Sequence, residues 1–331
     1  MNDTVQPFVW RDGELRILDQ RKLPAREAWI RARNAETVAR AIETLVVRGA
    51  PAIGIAAGYG IALAALRRRA TADSVRRAIE RLRHTRPTGY NLFHVLNGMT
   101  RVATVGRGAL GARVLRQARR FHAEDARACR AMAQHGVSIL EKDERVLTYC
   151  NTGALATGGI GTALGVIKAG YRRRKVREVF ACETRPVGQG ARLTVWECVK
   201  SGIPVTLLCD NMVAALLQTG RVTRILVGAD RIARNGDTSN KIGTLQLALL
   251  AKQFGVPFHV VAPTTTFDKN LRTGKLIPLE ERDPEEITKW VSGFRDLKGA
   301  CVWNPAFDVT PARLITSFIT EQGIHHPPFL F

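Results

Sequence analysis

The 331 residues carry 50 lysines and arginines against 29 aspartates and glutamates, a formal net charge of +21. That length allows about two domains of roughly 150 residues each, and 45% hydrophobic with 24% charged residues is the balance of a soluble globular chain. There is no basic-then-apolar leader pattern in MNDTVQPFVW and no apolar run near the ~18 residues of a membrane span, and the six cysteines lack metal or C-x-x-C spacing. The expectation is a cytoplasmic protein with reduced thiols, no metal and no membrane partner.

In chain order, Phe8–Trp10 and Leu15–Leu18 around Asp12-Gly13 predict a β-hairpin. Helical patterning follows at 35–47. Then come Arg48-Gly49-Ala50-Pro51 and an apolar, small-residue helix to about Leu66, with Pro51 fitting its first turn. Free amides at Gly49 and Ala50 beside Arg48 would form an anion site at the positive end of the helix dipole; a tight Gly-Pro turn with a surface arginine reads equally well. A basic amphipathic helix, Ala72–His84, leads to Arg86-Pro87-Thr88-Gly89-Tyr90-Asn91, and helices follow at Leu92–Val105 and Ala109–Leu140. Residues 1–140 thus read as a mainly helical domain with a small β element, and Lys142-Asp143-Glu144 as the joint.

Residues 141–331 read as a Rossmann-like α/β domain. Strands are expected at Arg145–Cys150, Val176–Ala181, Val205–Cys209, Ile225–Val227 and Phe258–Ala262. Crossover helices are expected at Gly159–Ala169, Ala191–Ser201, Met212–Gln218 and Lys241–Phe254, and the alternation implies a parallel, doubly wound sheet. A tail with Asn304-Pro305, Pro311 and a polar–apolar run Arg313–Thr320 closes the chain.

Ligands bind at the carboxyl ends of such strands, and this rim is crowded. Cys150-Asn151-Thr152-Gly153 follow the first strand, Glu183-Thr184-Arg185-Pro186 with Gln189 the second, Asp210-Asn211 the third, Asp230 the fourth and Thr264-Thr265-Thr266 the fifth. After Asp230 a polar loop turns at Asn235-Gly236-Asp237, and a helix from Lys241, capped by Asn240 or Ser239, would bring an amide and an ammonium beside the carboxylate. A capping aspartate and a solvated lysine are the plainer reading. A strand-end Cys150 facing a helix N-terminus is placed to become thiolate, while the commoner fate of a free cysteine is a small buried hydrophobe. The glycines from Gly158 to Gly165 invite a dinucleotide reading, with Glu183 for the ribose. They stand too far from Cys150, their spacing is off and Arg185 follows Glu183, so no nucleotide cofactor is expected. The arginines are spread over many amphipathic stretches without interleaved aromatics, which argues against nucleic acid; the charge then either attracts an anionic substrate or has no functional role.

Together these stretches resemble the S-methyl-5-thioribose-1-phosphate isomerases. That larger family also holds ribose-1,5-bisphosphate isomerases and the regulatory α, β and δ subunits of translation initiation factor two-B. The likeness runs almost end to end: LDQRKLP at Leu18–Pro24, VRGAPAIG at Val47–Gly54, RPT at Arg86–Thr88, CNTGALAT at Cys150–Thr157, ETRP and QGARLT within Glu183–Thr194, GADRIARNGD and NKIGT within Gly228–Thr244, and NPAFDVTP at Asn304–Pro311. The resemblance implies aldose–ketose isomerisation of a methylthioribose 1-phosphate in methionine salvage, by a homodimer needing neither metal nor nucleotide. It implies Asp230 as proton donor, Cys150 as catalytic cysteine, and Arg48, Gly49, Ala50, Arg86, Gln189, Asn240 and Lys241 as substrate-binding. Tyr149, Gly89-Tyr90 and Cys182 depart from the family pattern, and the two tyrosines keep a 5-deoxyribose 1-phosphate open as substrate. A non-catalytic scaffold like the initiation-factor subunits is the rival; retention of Cys150 and Asp230 argues against it.

Overall fold

The computed structural model describes residues 5–86, 89–104, 109–294 and 297–331. The expected hairpin is β1 (Phe8–Arg11) and β2 (Glu14–Leu18), and a further strand, β3 (Trp29–Ala32), adds antiparallel to β2. Five helices follow: α1 (Ala35–Glu43), α2 (Ala50–Ala65), α3 (Ala72–Arg83), α4 (Tyr90–Thr104) and α5 (Leu110–Ser138). Their starts are set by local chemistry. Asn34 Oδ1 accepts from the Thr37 amide at 2.8 Å, and Thr71 with Ser74 forms a reciprocal capping box. Helix α2 is buried on nearly every face, packed by α1, α3, α4 and α5, which is why its sequence is apolar and small all round. Pro87 and Thr88 of the RPT stretch, and Val105 at the expected end of α4, lie outside the described residues.

The second half contains β4 (Glu144–Thr148), α6 (Ala163–Arg172), β5 (Val176–Cys182), α7 (Val195–Lys200), β6 (Val205–Leu208), α8 (Val213–Gln218) and β7 (Arg224–Val227). It continues with β8 (Arg231–Ala233), β9 (Thr238–Lys241), α9 (Thr244–Gln253), β10 (Phe258–Val261), β11 (Phe267–Asp268), α10 (Glu285–Thr288), β12 (Phe307–Thr310), β13 (Ser317–Thr320) and β14 (Gly323–His325). The large sheet runs β14-β13-β10-β7-β4-β5-β6, parallel except for β14 at one edge. All five expected strands are in it. The tail supplies another, β13, parallel to β10.

Two differences from the sequence reading matter. The polar loop after Asp230 is no loop: β8 and β9 form a hairpin across the Asn235-Gly236-Asp237 turn, within a smaller sheet ordered β11-β8-β9-β12. Helix α9 therefore starts at Thr244 behind a left-handed Gly243, not at Lys241. Helix α7 is preceded by a five-residue π turn, Gly190–Thr194.

Strand residues alternate between two cores, the pattern of a parallel sheet covered on both faces. Val146, Val179, Leu226, Val261 and Ile319 pack with α5 and α6, while Leu147, Phe180, Ile225, Val260 and Phe318 pack with α8 and α9. Helix α5 spans 29 residues, about 44 Å at 1.5 Å per residue. Its first half (Val114, Ala118) belongs to the helical core and its second half (Cys129, Met132, Val137) to the sheet. One rod thus fixes the N-terminal helices against the sheet and holds the start of α2 over the strand ends.

Candidate active site

The strand order decides which rim residues meet. Strands β4, β5 and β6 run one way from the centre and β7, β10 and β13 the other, so β4 and β7 are neighbours at the switch point of a doubly wound sheet. Cys150 lies just beyond β4 and Asp230 just beyond β7. Both line one cavity together with Gln20, Arg48, Gly49, Arg86, Gln189, Arg192, Lys241, Arg282 and Phe307. A second lobe shares Gly49, Arg86, Asp230 and Phe307 and adds Ala50, Ile53, Gly89, Arg231, Ser239, Ile277 and Pro278. Asp210 and the Thr264–Thr266 turn sit on the same rim but outside both lobes; Asp210 instead braces the Thr184-Arg185 amides at 2.9 and 2.7 Å.

Arg48 is buried and anchored at every nitrogen. Its Nε donates to Gln20 Oε1 (3.1 Å), Nη1 to the Asn151 carbonyl (2.9 Å) and Nη2 to Asn151 Oδ1. Burial lowers its pKa, with Cys150, Glu197 and Asp230 pulling the other way; a guanidinium remains charged regardless. Gly49 caps α2 at φ +100, and a Cβ there would lie 2.6 Å from Ala156 Cα, so only glycine brings the α2 N-terminus this close to the chain after β4.

Cys150 also adopts a left-handed backbone, φ +60. It is clamped on both sides: its N–H donates to Thr184 Oγ1 (2.9 Å) and its carbonyl accepts from Thr194 Oγ1 (2.6 Å). Burial pushes its thiol up, against the attraction of Arg48 and Lys241. The site favours the thiol over the thiolate that a strand-end cysteine suggests from sequence. Burial likewise pushes Asp230 up, opposed by Lys241, Arg86 and Arg48. Lys241 comes to the cavity along β9, whose alternation turns Ser239 and Lys241 inward and Asn240 away. Its Nζ donates to the Ala306 carbonyl at 2.8 Å and lies 4.6 Å from the Phe307 ring, and burial lowers its pKa. Asn240 is buried and donates to Thr244 Oγ1 at 3.1 Å. It supports the hairpin and lines neither lobe.

Among the described residues lining the two lobes, three buried polar atoms have no hydrogen-bond partner: Arg86 Nε, Gln189 Oε1 and Arg231 Nε, the last 3.5 Å from Asp268 Oδ2. A donor and an acceptor left open in a walled cavity are what a polyhydroxylated anionic ligand would complete. Arg192 and Arg282 are cations that sequence reasoning did not single out. Arg192 is fixed on the π turn by the carbonyls of Val187 (3.1 Å) and Gln20 (2.9 Å). Arg282 and Arg86 share Glu280, at 2.8 and 3.5 Å. Arg192 could have been found within QGARLT; Arg282 and Phe307 stand far along the chain, and only the fold brings them in. Tyr149 turns its hydroxyl to Asp210, and Tyr90 lies under Arg231 with 4.9 Å from guanidinium to ring, so neither tyrosine lines the cavity. Gly158 and Gly159 are packed against Ile55, His122 and Cys129 and cradle nothing.

The chain belongs to the initiation factor 2 subunit family, whose model matches residues 46–327. It is 49% identical over 332 residues to the methylthioribose-1-phosphate isomerase of Syntrophotalea carbinolica, covering 97% of this chain and 96% of that protein. The fold is similar to the crystal structure of 5-methylthioribose 1-phosphate isomerase from Pyrococcus horikoshii OT3, with a TM-score of 0.90 at 40% identity, covering 98% of this chain and 93% of that one. It is also similar to a crystal structure described as translation initiation factor eIF-2B, subunit delta, from A. fulgidus, with a TM-score of 0.86 at 42% identity over 98% and 97%.

Proposed function

We propose that the chain is an aldose–ketose isomerase that converts 5-methylthioribose 1-phosphate to 5-methylthioribulose 1-phosphate. The observation that carries this reading is the meeting of Asp230 and Cys150 across one cation-lined cavity at the switch point. In this proposal Arg48, Arg86, Lys241 and the Gly49-Ala50 amides hold the phosphate, and Gln189 takes a sugar hydroxyl. Asn240 acts on the substrate only through the hairpin that carries Lys241.

The phosphate blocks the anomeric carbon, so the ring must open by protonation of its oxygen. Asp230, kept protonated by burial, gives that proton as the bond from the ring oxygen to C1 breaks. The hydrogen on C2 moves to C1, the C2 hydroxyl becomes the carbonyl, and its proton returns to the Asp230 carboxylate. Cys150 lines the path of the moving hydrogen. No metal or nucleotide enters the scheme. Residues 1–140 act as a mainly helical domain beside a Rossmann-like domain, 141–331, and the enzyme works as a cytoplasmic homodimer; light scattering at twice 36.4 kDa tests the dimer.

Proton NMR of methylthioribose 1-phosphate with wild type, Cys150→Ser and Asp230→Asn tests the reaction. Turnover by wild type that both folded variants lose supports it. Because Asp230 must be protonated, kcat/KM falls as pH rises through its raised pKa. No turnover by folded wild type overturns the methylthio reading, and 5-deoxyribose 1-phosphate is the next substrate. The A. fulgidus description favours a second reading, a non-catalytic regulatory scaffold; inactivity on every ribose 1-phosphate would bring it forward.

A further inference from the structure

We infer that Glu197 is a positioning residue that sets the direction of the Arg48 guanidinium by fixing which end of the Asn151 amide faces it. The inference rests on the proposed isomerase only for its kinetic arm.

Glu197 lies on α7 and is wholly buried. Its Oε1 accepts from Asn151 Nδ2 (3.0 Å) and the Leu155 amide (3.2 Å); its Oε2 accepts from the Ala154 amide (2.9 Å) and Lys168 Nζ (2.8 Å). A carboxylate can only accept and a guanidinium can only donate. A single amide, Asn151, stands between them, so its NH₂ must face Glu197 and its oxygen must face Arg48. Thr194 enforces the same sense. Its one hydroxyl proton goes to the Cys150 carbonyl (2.6 Å), which leaves its oxygen able only to accept from Asn151 Nδ2 (3.2 Å).

The bonds close into a ring. Leu155, held by Glu197, offers its carbonyl to Gln20 Nε2 (2.8 Å), Gln20 Oε1 takes Arg48 Nε (3.1 Å), and Arg48 returns to Asn151. A Cβ on Gly153 would sit 2.3 Å from the Glu197 carboxylate, so the loop after β4 is built around that group. Lys168 balances its charge from α6, and the far side of the ring is the cavity wall. Donor–acceptor polarity thus passes from a buried ion pair to a substrate-facing arginine through one amide that cannot turn over.

The test uses the whole chain and three variants. Glu197→Gln offers Asn151 an NH₂ as readily as an oxygen, and Glu197→Gln with Lys168→Met also removes the stranded ammonium. Asn151→Leu removes the amide that links the two groups while leaving the Lys168–Glu197 pair standing. In the double variant and in Asn151→Leu, KM for methylthioribose 1-phosphate and the Kd for inorganic phosphate by calorimetry are expected to rise about tenfold or more. The pH profile of kcat should keep its shape, since Asp230 is untouched. Wild-type KM and phosphate Kd in either folded variant overturn the inference and leave Glu197 a structural group. Absence of turnover by wild type would count against the isomerase reading alone, because the phosphate arm reads the Arg48 geometry independently.

Discussion

Gly49→Ala is the perturbation that most directly probes the close approach of α2 to the chain after β4. The new Cβ would stand 2.6, 2.7 and 2.8 Å from Ala156 Cα, Cβ and O, whereas ordinary contact begins near 3.4 Å. Two pieces of backbone must separate by about 0.8 Å, because none of the three atoms is the end of a flexible side chain. The backbone at φ +100 is also strained for any residue with a Cβ. Strain and overpacking together should cost about 3 kcal/mol. A shift of this size at the cavity wall built by the α2 N-terminus should lower kcat/KM on the order of 100-fold. Gly13→Ala is the control, since it shares a positive φ (+72) but meets nothing within 4 Å; it should cost about 1 kcal/mol and leave the rate unchanged. Urea denaturation and steady-state kinetics at a temperature where both variants are folded read the two effects separately. If Gly49→Ala matches Gly13→Ala in stability and wild type in kcat/KM, the contact does not hold the cavity's shape.

Lys241→Met removes a cation that lowers the pKa of the Cys150 thiol; alkylation of the Cys150 peptide at pH 8, followed by mass spectrometry, should slow about tenfold, and an unchanged rate would deny Lys241 that influence. Asp125, on α5 beside Glu321, is pushed by burial from an ordinary 3.8 up to about 6. The folded protein therefore keeps a proton that the unfolded chain releases, and stability falls as pH rises from 4 through 6 by at most about 3 kcal/mol. Asp125→Asn can still accept from the Gly158 amide but cannot ionise, so its stability relative to wild type should improve between pH 4.5 and 7.5 in urea titrations. A constant difference would refute the assignment.

Much of this fold is legible in the sequence because its signals are local. Periodicity and caps place α1 to α5 within a few residues, and apolar runs place the five central strands. The hairpin β8–β9 was hidden because Thr238-Ser239-Asn240-Lys241 is polar yet buried, its alternation being between the site and the sheet beneath rather than between water and core. Strand β13 was hidden because Ser317 and Thr320 interrupt the apolar pair Phe318-Ile319. The site was legible residue by residue only where a strand end marked it. Nothing local says that β4 lies beside β7, so strand ends alone could not separate Asp230, which shares the cavity with Cys150, from Asp210, which does not; only the resemblance singled out Asp230. Arg282 lies in no strand and Phe307 opens β12 rather than ending a strand of the large sheet, so only the fold brings them to the rim.

The ionisation of the two central groups bears on how the hydrogen travels. A proton-relay route needs Asp230 as acid and Cys150 as thiolate base at the same moment. Their ordinary values are 3.8 and 9.0, and burial raises both. Burial thus favours the acid form of Asp230 but works against the thiolate of Cys150, and the relay needs both forms together. Direct movement of the C2 hydrogen to C1 needs only the protonated Asp230 that burial already favours, with Cys150 remaining a neutral, polarisable wall. The expected outcome in D₂O is therefore a ketose whose new C1 hydrogen is protium, read by proton NMR of the C1 methylene. Full deuterium at one C1 position would show exchange through a base, and would require Arg48 and Lys241 to hold Cys150 as thiolate once substrate is bound.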